Sequence, residues 1–261
     1  MSATTLTAPS RLNIAGGDVR PSLGRLVAVE LRKMVDTRAG FWLQIATVAL
    51  TVLVVTVRSV VGDAADHTFA AVLDVGLKPA AILLPIAGIL LVTSEWSQRT
   101  GMITFALVPV RSRVLGAKLV ASMVLAVATL AMAVVVVAAG VHVASPGVDR
   151  SWSDVAPLIG QSAVYLTAGM ITGAAFGMVL LASAPAIVVL FALPIAWTGI
   201  ASLSFLATAA PWLDTRLALG SLPREVLNTT QWAHVGTALA LWMLLPLLIG
   251  TWRITRREAA S

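Results

Sequence analysis

Apolar residues in this sequence gather into six long runs separated by short polar stretches. The runs span about 39–57, 76–93, 119–141, 157–182, 185–206 and 235–252. A helix crossing the hydrocarbon core needs about 20 mostly apolar residues, and each run is near that length. Strands of a membrane barrel are roughly half as long and alternate apolar with polar positions, which these runs do not. The pattern predicts an all-α fold: a polytopic membrane protein whose six transmembrane helices form a single domain over residues 21–252. Residues 1–20 have neither the apolar centre nor the small-residue cleavage site of a signal peptide, and read as a flexible tail. Residues 253–261 read as a second, short tail.

Two stretches outside the runs carry a different pattern. In residues 21–38, Leu23, Leu26, Val27, Leu31, Met34 and Val35 recur at helical spacing, while Arg25, Arg32, Lys33 and Asp36 occupy other faces. This predicts an amphipathic interfacial helix lying on the membrane surface, with its cations near anionic lipid heads. In residues 94–118, Ser94 is placed to cap a short helix with Glu95 near its positive end. Glu95 and Arg99 stand at i, i+4 in the order that favours an ion pair. Gly101 ends that turn, and the apolar patch Met102, Ile103, Phe105 and Leu107 follows before Pro109. A short helix with an apolar patch and flanking charges suits docking of a cytosolic partner. The plainer alternative is a basic loop that only sets topology.

Composition sharpens the picture. The chain is 58% hydrophobic and 11% charged, with mean hydropathy +0.92, against roughly 25% charged residues in a soluble domain. Too few charges exist to cover a water-facing surface, which excludes a soluble globule, a disordered chain and an ordinary nucleic-acid binder. Cysteine is absent, so disulfides and thiolate metal sites are excluded. The net charge of +6 reports topology through its placement. Thirteen of the 18 basic residues fall before the first run, between runs two and three, or after run six. The positive-inside rule then puts both termini and the 94–118 loop in the cytoplasm. Runs four and five are joined by a tight turn at residues 183–185. The long segment 207–234, with Trp212 and Trp232, is expected at the outer interface or dipping partly into the membrane.

The runs themselves hold little reactive chemistry. Ionisable groups inside a membrane mark ion relays, and here the nearest, Lys78 and His142, fall at the outer ends of their runs. No HExxH motif, no paired acid and no GxxxxGK[ST] phosphate loop occurs. The chain is therefore expected not to be an enzyme, to bind no cofactor or metal of its own, and to draw any energy from another subunit. Gly169, Gly173 and Gly177 form a stripe on run four that lets another helix approach closely, within the chain or from a second subunit. Gln44, Thr47 and Thr51 on run one, with Thr198 and Ser202 on run five, offer a weakly polar path for an amphiphile, or hydrogen bonds between helices. Pro85, Pro194 and Pro246 predict kinks.

At the 94–118 loop the sequence resembles the membrane subunits of ABC-2 type transporters. The resemblance rests on Glu95, Arg99 and Thr100, followed by Pro109, Arg111, Arg113 and Lys118, and on the residues Glu30, Leu31, Arg32, Lys33, Thr37 and Arg38 leading into run one. The Arg- and Ala-rich composition is that of a GC-rich bacterial genome, actinobacterial in type. The resemblance implies a permease in the bacterial cell membrane, paired with a second permease subunit, identical or homologous. Two copies of a cytosolic ABC ATPase would bind ATP and Mg and dock on the loop. Glu95, Arg99 and Thr100, with Met102, Ile103 and Phe105, would be the coupling residues. The cargo would be a hydrophobic or amphipathic compound (drug, peptide or lipid), moved outward. The competing readings are an immunity or sensing module that moves nothing, and an ATP-independent secondary transporter.

Overall fold

The computed structural model describes residues 21–61, 68–97, 111–144, 154–201, 203 and 208–256. Among them there is no strand, and six helices are long and apolar enough to cross a membrane. The chain is a multi-pass membrane protein of all-α architecture. Its order is α1 (Leu23–Asp36), α2 (Arg38–Val60), α3 (Phe69–Ser97), α4 (Arg111–Ala144), α5 (Val155–Leu180), α6 (Ser183–Ala201), α7 (Ala210–Leu213), α8 (Thr215–Gly220), α9 (Thr229–Leu239) and α10 (Leu245–Arg256), with a π-helical turn Ala240–Leu244 joining the last two.

Helix α1 is the amphipathic element predicted from residues 21–38. Ser22 caps it by accepting the Arg25 N–H at 3.4 Å. Thr37 closes α1 and caps α2, accepting the Gly40 N–H at 3.2 Å. The corner is tight enough that a Cβ on Gly40 would strike the Met34 carbonyl.

Helices α3 and α5 form the centre, with more than half of each buried; less than a quarter of α2, α6 and the last span is buried. The glycine stripe explains the central contact. A Cβ on Gly173 would collide with the Pro85 carbonyl, and one on Gly177 would lie 3.2 Å from the Ile89 oxygen. Gly88 of α3 reciprocates, since a Cβ there would meet the Met170 carbonyl of α5. In lipid no hydrophobic force draws helices together, so close backbone approach and dispersion must do so. The predicted stripe is therefore a seam within the chain. Around it Leu73, Leu77, Leu84, Leu130, Val137, Leu166 and Met170 make the main core.

Several expected boundaries shift. Helix α3 starts at Phe69 rather than near 76 and runs to Ser97; α4 starts at Arg111 rather than near 119. An apolar run ends where the hydrocarbon ends, but the helix continues into the interface as long as its backbone stays bonded. The turn expected at residues 183–185 lies at Leu181 and Ala182 instead. Leu181 takes a left-handed conformation (φ 56°) and its N–H caps α5 on the Gly177 carbonyl at 2.8 Å. Pro185 falls in the first turn of α6, where its missing N–H costs nothing. The kink expected at Pro246 takes the form of the wide turn Ala240–Leu244 just before it.

Candidate functional site

The α1 end of the bundle holds a closed cluster of four charges. Lys118, in the second turn of α4, donates to Glu30 Oε2 of α1 (2.7 Å), to Glu95 Oε1 at the end of α3 (2.9 Å) and to the Leu91 carbonyl (3.3 Å). An ammonium has three donors, and all are spent. Lys33 of α1 bridges the same two acids, reaching Glu30 Oε1 at 2.7 Å and Glu95 Oε1 at 2.8 Å. The side chains of Lys118, Glu30 and Glu95 are 3%, 5% and 9% exposed. Taking such charges out of water costs several kcal/mol each, and only a neutral, fully bonded set offsets it. Two acids and two lysines make a neutral set in which Lys118 spends every donor and the part-exposed Lys33 spends two of three, and they join α1, α3 and α4 at one point. Burial pulls the Lys33 ammonium down, but its hydrogen bonds to Glu30 and Glu95 outweigh burial and hold it above the ordinary lysine value.

This cluster revises the reading of the 94–118 stretch. Ser94 and Glu95 do not open a short helix; they lie in the last turn of α3, which the chain has no reason to break there. Glu95 is paired with Lys33 and Lys118. Arg99, Thr100, Met102, Ile103 and Phe105 lie outside the described residues, so the docking patch and the Glu95–Arg99 pair do too. Sequence reasoning used Glu30 and Lys118 for the family resemblance but named neither as a site residue. A signal was there for Glu30: Val27, Glu30, Leu31 and Met34 follow one helical stripe, which puts a carboxylate on the face that packs.

The opposite end is organised around Asp74, Gln161 and Asp214. Lys78 donates to Asp74 Oδ1 at 2.9 Å, and Arg224 Nε lies 3.1 Å from Asp74 Oδ2. Asp74 thus sits on α3 itself, one turn before Lys78, and not in the linker before run two. Buried Gln161 of α5 donates to the carbonyls of Leu222 (2.9 Å) and Glu225 (2.6 Å) and accepts the Leu227 N–H (2.8 Å). That clamp holds residues 222–227 on the bundle. Asp214 caps α8, taking the N–H groups of Arg216 and Leu217 on Oδ1 and the Thr198 hydroxyl on Oδ2.

Between α3, α5, α6 and residues 210–242 lies a cavity of about 720 Å³. Its rim carries Lys78, Arg216, Arg224, Asp214 and Tyr165; its wall carries Pro85, Leu166, Gly169, Phe176, Leu190 and Phe191. Trp242, from the π turn, completes it and donates its indole N–H to the Leu213 carbonyl at 2.7 Å. The opened turn brings Trp242 edge-on to Trp197, with ring centroids 6.1 Å apart.

Of the predicted path residues, Thr198 lines this cavity, as do Thr172 and Gly169. Thr47 and Thr51 are buried in the packing of α2, with Thr47 bonded to the Leu43 carbonyl at 2.8 Å. Gln44 is half-buried on α2, away from the cavity lining, and Ser202 lies outside the described residues. No protein-family model matches the chain, and no curated protein matches it.

Proposed function

We propose that this protein is the membrane-spanning permease subunit of an ATP-binding cassette exporter. Its α1 end would face the cytoplasm, following the basic residues. The observation that carries the reading is the four-charge cluster. Residues 98–110, the middle of the 94–118 loop that the sequence predicts to dock, connect the end of α3 to the start of α4. Glu95 and Lys118 stand just before and just after that segment and are bonded to each other and to α1. A force applied to the segment by a docked ATPase would reach α1, α3 and α4 together, because the cluster has no slack: Lys118 has no donor left to trade.

The energy source would be two copies of a cytosolic ATPase binding ATP and Mg, and the functional unit a pair of permease chains in the bacterial cell membrane. The decisive experiment is purification of the protein in mild detergent from its own host at native expression, with bound chains identified by mass. A stoichiometric ABC ATPase supports the reading, and Phe105→Asp with Met102→Asp should release it. A chain that purifies alone, with transport that persists after ATP depletion, sinks the reading and leaves the secondary-transporter alternative.

A further inference from the structure

We infer that the cavity between α3, α5 and α6 is a binding site for an amphiphile with one anionic head, a carboxylate or a phosphate monoester, on a single apolar chain. Three observations carry this, and none of them requires an ATPase.

The first is size and shape. A volume of about 720 Å³ lies within the roughly 300–1,000 Å³ of small-molecule sites. Tyr165 near the rim and Phe176 in the wall are both on α5, eleven positions apart, which is about 16 Å of helix rise. The space is therefore long enough for a chain to lie along α5.

The second is its polarity gradient. Below the rim the wall is aliphatic and aromatic, with Leu166, Phe176, Leu190 and Phe191. Charge is confined to one end.

The third is the state of that charge. The acids at and beside the rim already have partners: Asp74, next to the rim cations, meets Lys78 and Arg224, and buried Asp214 accepts two backbone N–H groups and lies 3.3 Å from the Thr198 hydroxyl, which also donates to the Pro194 carbonyl. The cations keep capacity. Lys78 spends one of three donors, and Arg224 meets Asp74 through Nε, which leaves its terminal N–H groups. Arg216 is exposed at the rim, and among the described residues no acid lies within ion-pair distance of its guanidinium. Unspent guanidinium and ammonium donors above an apolar chamber select an anionic head, since charge-assisted bonds to a carboxylate or phosphate are the strongest they can make. A cationic or uncharged head gains nothing there.

The test uses the full chain in nanodiscs of zwitterionic lipid, with a dansyl-labelled undecanoate as reporter. Competitors are laurate, dodecyl phosphate, dodecanol, dodecyltrimethylammonium and inorganic phosphate. Laurate or dodecyl phosphate should displace the reporter at concentrations about tenfold or more below dodecanol and the ammonium, and whichever is stronger identifies the head. Arg216→Gln should weaken that competitor about tenfold while leaving thermal unfolding unchanged, because its exposed side chain makes no ion pair among the described residues. Thr172→Trp, which fills the chamber, should abolish displaceable binding; Ala81→Phe serves the same purpose if that variant does not fold. Equal displacement by dodecanol overturns the anionic head. Displacement by inorganic phosphate as strong as by laurate overturns the role of the chamber. Binding that survives both filling variants places the reporter on the lipid-facing surface and overturns the site.

Discussion

Charged side chains occupy both ends of this bundle, and they are used differently. At the α1 end, Glu30, Lys33, Glu95 and Lys118 pair with one another in equal numbers of acids and lysines, and three of the four are nearly inaccessible. At the other end, Asp74 and Asp214 are filled while Lys78, Arg216 and Arg224 retain donors beside a chamber. The residue types are nearly the same; the difference lies in stoichiometry and solvent. A closed, neutral and dry set resists displacement and so transmits position between helices. An open, wet and cation-rich set costs little to hold and stays available to a ligand. Charge in a membrane protein is thus informative only together with its count of filled bonds.

The sharpest way to break this contrast is Lys118→Met, which leaves two nearly buried carboxylates sharing Lys33 alone, with one negative charge uncompensated. Loss of about 3–5 kcal/mol is expected, read as a large fall in thermal unfolding temperature in detergent. Adding Glu30→Leu to Lys118→Met leaves Lys33 paired with Glu95 and should recover much of that loss, since a balanced apolar replacement removes the stranded charge. A double variant no better than the single one would mean that the cluster is not energetically closed. Next comes the seam that separates the two ends: Gly173→Leu forces α3 and α5 apart at Pro85 and should cost about 1–3 kcal/mol or more, visible in the same melt.

At the open end the same kind of lesion should be mild. Arg224→Gln breaks an ion pair whose cation is 58% exposed, and about 1 kcal/mol or less is expected. Stability losses of equal size for Lys118→Met and Arg224→Gln would erase the contrast. The smallest effect is pH dependence. Lys33 has a folded pKa above its unfolded value of roughly 10.4, so its contribution is fully present below that value and fades as pH rises through the folded pKa. Hydrogen exchange in α1 should therefore be flat through neutral pH and quicken, beyond the intrinsic base-catalysed rate, only in strongly alkaline solution. Quickening between pH 6 and 8 would show that another group controls α1.

Much of the fold was legible in the sequence because a bilayer imposes a coarse rule. Any segment of about 20 apolar residues must satisfy its own backbone, and a helix does so locally. That rule gave six spans, the interfacial helix at 21–38 and the glycine seam, whose i, i+4, i+8 spacing is a property of one helix. The candidate sites were legible only in part. Glu95 stood out as a site residue, but with Arg99 as its partner; the described partners, Lys33 and Lys118, are 62 and 23 positions away. Thr198 stood out on a path, while Lys78, Arg216 and Arg224 read as ordinary loop or helix-end charges.

The sequence by itself determined which segments enter the membrane, the helical state they take there, and the small-residue face along which two of them can touch. Those properties depend on windows of a few to twenty residues, and hydrophobic transfer and backbone bonding act within such windows. Only the tertiary structure decided which charges are closed and which are open, that Gln161 clamps residues 222–227, and that the wide turn before Pro246 brings Trp242 to the chamber. These depend on partners far apart in the chain, and the energy of a buried charge is set by every donor and acceptor around it, which no local window contains.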